Sequence, residues 1–177
     1  MSSLQQVCEQ MLAEGFEYGS MDGTLTITQY NSTPEAMGRP WLQPRVPTLM
    51  CSRLVRNDDA EPSLEMYSYV MMDESDKDRY SKSPLLFVKV DKSRITCESD
   101  PRFRKGGAWR VETYHAPLIQ WSYVASQYAG ITVYPCADDS REMFPLWDVD
   151  TLAIWDYTCV TEMRAFENAG SDWTYVV

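Results

Sequence analysis

The chain has 177 residues, is 44% hydrophobic and 24% charged, and carries a formal net charge of −10. That is the length of one ordinary domain with enough apolar surface to bury a core, so disorder by composition is excluded. The negative charge disfavours direct nucleic-acid binding and favours a basic macromolecular partner, a protein.

Residues 2–14 are predicted as a helix. Leu4, Val7, Cys8, Met11 and Leu12 recur on one face, Ser2 or Ser3 caps the start with Gln5 or Gln6 three residues on, and Gly15 ends it. Residues 24–30 alternate Leu25 and Ile27 with threonines and read as a half-buried strand. Residues 31–48 hold Pro34, Gly38, Pro40, Pro44 and Pro47 and read as irregular chain leading into a strand over 49–52. Residues 57–65 read as an acidic loop. The Tyr/Met-rich stretch 63–72 is ambiguous between helix and strand, and 73–83 is an exposed, charged helix or turn.

Two strands are predicted over 85–90 and 94–97, joined through Lys92 and Ser93 either as a hairpin or as one bulged strand. Residues 98–110, ESDPRFRKGGAWR, form a basic loop with Gly106 and Gly107 for backbone freedom. Pro117 opens a helix over 117–129, with Leu118, Trp121, Val124 or Ala125, and Tyr128 on its apolar face. Gly130 terminates it and a strand over 131–134 follows. A further strand over 151–157, a short helix over 161–168 closed by Gly170 and a last strand over 173–177 complete the chain. With six or seven strands and about three helices in no regular alternation, the expected fold is α+β. It is one domain over 1–177 on a mixed or antiparallel sheet, closed or split.

The charge is unevenly placed. Residues 57–80 hold eight acids against Lys77 and Arg79, and residues 136–177 hold nine against Arg141 and Arg164, whereas residues 89–110 hold seven bases against three acids. The ordinary fate of such runs is a solvated surface. The longest apolar runs, 84–88 and 151–155, fall far short of the roughly 18 residues that span a bilayer. The start MSSLQQVCEQML lacks the pattern of a secretory signal. Five cysteines, odd in number and without a CxxC pair, point to reduced, mostly buried thiols and a cytoplasmic protein. With His115 the only histidine, zinc ligation is not expected.

No phosphate-loop, dinucleotide, metalloprotease or nucleophile-elbow motif occurs. His115 is a general base with Glu112 beside it, or a plain loop residue. Asp148 and Asp150 are either an acid pair on one strand face, fit for Mg²⁺ or proton transfer, or turn residues that bind backbone amides. Trp121 and Tyr128 are core residues or, because indole N–H and phenol O–H need partners, the margin of a cleft.

The segments IQWSYVASQYAGITVYP (119–135), WDVDTLAIW (147–155) and PTLMCS (47–52) resemble segments of uncharacterised bacterial and phage proteins with the ADP-ribosyltransferase-like fold. The resemblance implies a split mixed sheet whose cleft binds NAD and a macromolecular target. By position it assigns Tyr30 to the early strand, Ser52 to the second and Asp148 or Asp150 to the later acid, which would hydrogen-bond the ribose and favour an oxocarbenium-like transition state. Trp121, Tyr128 and Trp147 would line the NAD site. This chain has Gln29 and Tyr30 where the family has histidine or arginine, and no E-x-E, so a degenerate relative is equally implied. The alternative from charge is a small acidic inhibitor of phage or mobile-element type. It would present 57–80 and 136–150 to the basic groove of a nucleic-acid-processing protein, as anti-defence mimicry of nucleic acid.

Overall fold

The computed structural model describes residues 3–21, 49–56, 62–65, 84–112, 114, 117–134, 149–169 and 172–175. The strand expected over 24–30, the irregular stretch up to 48, most of the acidic loop and the segments 66–83 and 135–148 lie outside them. The chain divides into two compact units. The first comprises residues 1–26, 50–91 and 160–177, and the second residues 27–49 and 92–159.

In the first unit helix α1 (Leu4–Ala13) forms where the apolar spacing places it. Ser3 and Gln6 make a reciprocal capping box, Ser3 Oγ accepting from the Gln6 amide at 3.2 Å and Gln6 Oε1 from the Ser3 amide at 2.9 Å. At the other end Phe16 N–H donates to the Met11 carbonyl and Gly15 N–H to that of Leu12. Gly15 adopts φ +88°, so the stop is a Schellman motif with glycine in the left-handed position. Five antiparallel strands are ordered β11 (Asp172–Tyr175), β10 (Val160–Ala169), β4 (Leu85–Val90), β1 (Tyr18–Ser20), β2 (Leu49–Val55), and the short β3 (Ser63–Leu64) pairs with β2. Val7, Cys8 and Met11 of α1 pack with Phe16, Met21, Leu54, Leu64, Leu85, Phe87 and Phe166. Phe87 meets Phe16 and Phe166 edge-on at 6.4 and 6.0 Å. At about 1.5–3 kcal/mol per large apolar side chain withdrawn from water, this cluster dominates the unit's stability.

The helix expected over 161–168 is a strand instead. Arg164 and Ala165 stand opposite Phe87 and Leu86 of β4, and Phe166 and Glu167 stand opposite Tyr175 and Thr174 of β11. β4 pairs with it up to Phe166 and β11 from Phe166 onward, and that pairing outweighs the helix propensity of Glu, Met, Arg and Ala.

In the second unit β8 (Gly130–Val133) runs antiparallel to β9 (Thr151–Ile154) and parallel to β5 (Ile95–Cys97). β4 and β5 are therefore neither a hairpin nor one bulged strand. A 3₁₀ turn over Lys92–Arg94 separates them, and their partners differ. The crossover from β5 to β8 carries the two-residue hairpin strands β6 (Arg110–Val111) and β7 (Leu118–Ile119) and then helix α2 (Trp121–Gln127). The expected helix over 117–129 is thus shorter, because 118–119 pair with 110–111 rather than coil. The class is α+β with mixed strand pairing, and two α-helices are seen among the described residues.

Gly130 does not cap α2 in a left-handed conformation; the helix ends at Gln127 and Tyr128 is extended. Its role is close approach. A Cβ there would lie 2.5 Å from the Ala153 carbonyl oxygen and 3.0 Å from Ile95 Cδ1. At Gly15 the nearest atom to a Cβ would be Lys89 Nζ at 3.6 Å, so a side chain there meets only the cost of positive φ, about 1–2 kcal/mol. Gly130→Ala is expected to destabilise more than Gly15→Ala in urea titrations, because the backbone of β9 has to move; equal midpoints would show that β8 and β9 separate at no cost.

Candidate functional site

In the second unit Asp100, Trp109, Gln127 and Tyr128 meet around Arg102. Asp100 caps the 3₁₀ turn Pro101–Phe103, its carboxylate accepting from the Arg102 amide. Pro at the first turn position supplies the fixed φ that this entry needs. The Arg102 guanidinium then folds back in a fork, Nε donating to Asp100 Oδ1 at 3.0 Å and Nη2 to Oδ2 at 2.7 Å. Nη1 donates to Gln127 Oε1 at 2.7 Å, and Nη2 also donates to the Tyr128 hydroxyl at 2.9 Å. Arg102 Cζ lies over the Trp109 ring, 3.7 Å from the centroid, and 5.2 Å from that of Tyr128. Arginine alone among the cations can stack flat and donate sideways at once.

Beneath it lies an aromatic cluster. Trp109 is fully buried, tilted against Phe103 at 4.9 Å and edge-on to Tyr128 at 5.7 Å. Phe103 touches Trp121 at 6.4 Å, and Trp121 touches Trp155 at 6.0 Å. Trp155 Nε1 donates to the Tyr128 carbonyl at 2.8 Å. Gly107 lets the loop close, since a Cβ there would lie 2.3 Å from the Arg102 carbonyl oxygen, which accepts from the Trp109 amide. Alongside, Arg94 donates to Asp156 Oδ2 at 2.7 Å and to Thr158 Oγ1 at 2.7 Å.

The basic run 89–110 is consequently not a free positive surface. Lys89 pairs with Glu162, Arg94 with Asp156, Arg102 with Asp100 and Arg110 with Glu112. The acids respond in kind. Hydrogen bonding from Arg102 holds the Asp100 carboxyl below its ordinary range, the Thr158 hydroxyl and amide do so for Asp156, and Lys89 does so for Glu162.

A smaller cluster ends β5. Cys97 Sγ donates to Glu98 Oε2 at 2.8 Å and Ser99 Oγ donates to Cys97 Sγ at 3.2 Å, with Glu98 only 5% exposed. The four described cysteines, Cys8, Cys51, Cys97 and Cys159, are all free thiols, and all but Cys97 are buried. Burial pushes the Cys8 thiol up to about 12, against a smaller opposing hydrogen bond with the Leu64 backbone, which makes it inert.

Of the residues singled out from the sequence, Trp121 is buried against Phe103 and Trp155. Tyr128 is half-buried with its hydroxyl held by Arg102. Asp150 is half-buried in the residue before β9, and the neighbouring Thr151 hydroxyl donates to the Val149 carbonyl at 2.7 Å. Ser52 is a buried residue of β2, opposite Gly19 of β1, in the other unit. Tyr30, Trp147, Asp148 and His115 lie outside the described residues. The sequence reading missed Arg102, Asp100, Trp109 and Trp155 as a group. Its one local signal was Asp-Pro-Arg ahead of a glycine pair; the partners Gln127 and Tyr128 are some 25 residues distant. Among the described residues no three His, Cys, Asp or Glu side chains gather as a metal site would require, and no helix is long and apolar enough to cross a membrane. Comparison with protein-family models, curated proteins and solved structures finds no match to this chain.

Two outcomes follow from the cluster. Trp109 Nε1 is buried with no hydrogen-bond partner among the described residues, a situation that costs about 1–3 kcal/mol. Trp109→Phe removes that donor, whereas Trp155→Phe leaves the Tyr128 carbonyl without its partner. Trp155→Phe is expected to lower the urea midpoint more; the reverse order would mean that Trp109 Nε1 is hydrogen-bonded in solution.

The pH dependence follows from the three carboxylates. Their folded pKa values lie below the unfolded ones, so their contribution is present above the unfolded values, about 4, and is lost as pH falls through the folded values. Asp100→Asn should be less stable than the parent at neutral pH, with the gap closing under acid conditions once Asp100 itself is protonated. A gap independent of pH would assign the effect to packing.

Proposed function

We propose that the protein acts by binding, as an acidic module that occupies the basic groove of a nucleic-acid-processing protein. The observation that carries the reading is the partition of charge between the two units. The segments of the first unit hold sixteen acids against seven bases, a net of −9, and those of the second hold ten against nine, a net of −1. A charge so concentrated steers a basic partner over distances comparable with the Debye length, about 10 Å at 0.1 M salt. The second unit, in contrast, pairs three of its cations, Arg94, Arg102 and Arg110, with its own carboxylates.

The test is affinity capture of purified DNA-binding proteins on the immobilised chain. Partners should be released both by rising salt and by competing duplex DNA. Neutralising Asp58, Asp59, Glu61, Asp73, Glu74, Asp76 and Asp78 with Asn or Gln should weaken capture at least tenfold. Capture that is indifferent to salt, DNA and these substitutions would end this reading.

The ADP-ribosyltransferase-like reading stands second. It is favoured by the pairing of the two segments that carry the resemblance, Gly130–Val133 against Thr151–Ile154, with Asp150 immediately before the second. In it Asp148 or Asp150 serves as the acid, and Tyr128 and Trp147 hold NAD. NAD at about a hundred times its Kd should stabilise the protein by about 2.7 kcal/mol, read as a rise in Tm. No shift at millimolar NAD removes the cofactor and the activity together.

A further inference from the structure

We draw no further inference here: the strongest candidate, the Cys97–Glu98–Ser99 side-chain cluster at the end of β5, rests on one half-buried cysteine and on hydrogen bonds within the cluster itself, and nothing else in the structure points to a ligand there.

Discussion

The second unit depends on how one guanidinium is accommodated. Arg102 lies on a fully buried indole with its own side chain 34% exposed, and its donors are held by acceptors from two elements. Asp100 supplies two from the same turn, and Gln127 and Tyr128 supply one each from the end of α2. The same residue therefore ties the loop after β5 to the helix before β8. Tyr128 is fixed three times over: by its hydroxyl to Arg102, by its amide to the Val124 carbonyl and by its carbonyl to Trp155 Nε1. Lysine, a point charge on a flexible stem, could satisfy the carboxylate but not the stack and the fork together.

The first unit is held differently. The apolar face of α1 closes over Leu54, Leu64, Leu85 and Phe87, and the described charges Lys89, Glu162 and Arg164 remain at the margin. Lys89, 4.7 Å from the Phe16 ring centroid, and Arg164, at 5.6 Å, share Glu162. Such half-exposed pairs add little to stability. The excess of acids in the sequence of this unit bears on solubility and on what the protein meets rather than on the fold.

Where short-range chemistry decides an element, the sequence was sufficient. The capping box at Ser3 and Gln6, the apolar stripe of α1 and the stop at Gly15 are all set within a dozen residues. Strands form where apolar runs bounded by turn residues place them, at 85–90 as expected, at 49–55 beyond the expected 52, and at 151–154 short of the expected 157. The failures share one cause. Residues 161–168 have helix-forming side chains yet are a strand, since β4 and β11 stand on either side of them. Residues 118–119 were read into a helix yet pair with 110–111. Gly130, read as a cap, is instead the point at which β9 passes close to β8.

The candidate site divides along the same line. From the residues alone one learns the α+β class, the unequal charge, the reduced thiols and the existence of an aromatic-rich second half, because each is a property of composition or of neighbours in the chain. Only the tertiary structure decides that Trp121 is spent in a core, that Tyr128 is bound by its hydroxyl to Arg102 and that Arg94 is paired with Asp156. Those outcomes require groups as far as 62 positions apart to meet, and periodicity in a sequence carries no information about which distant segment a side chain will face.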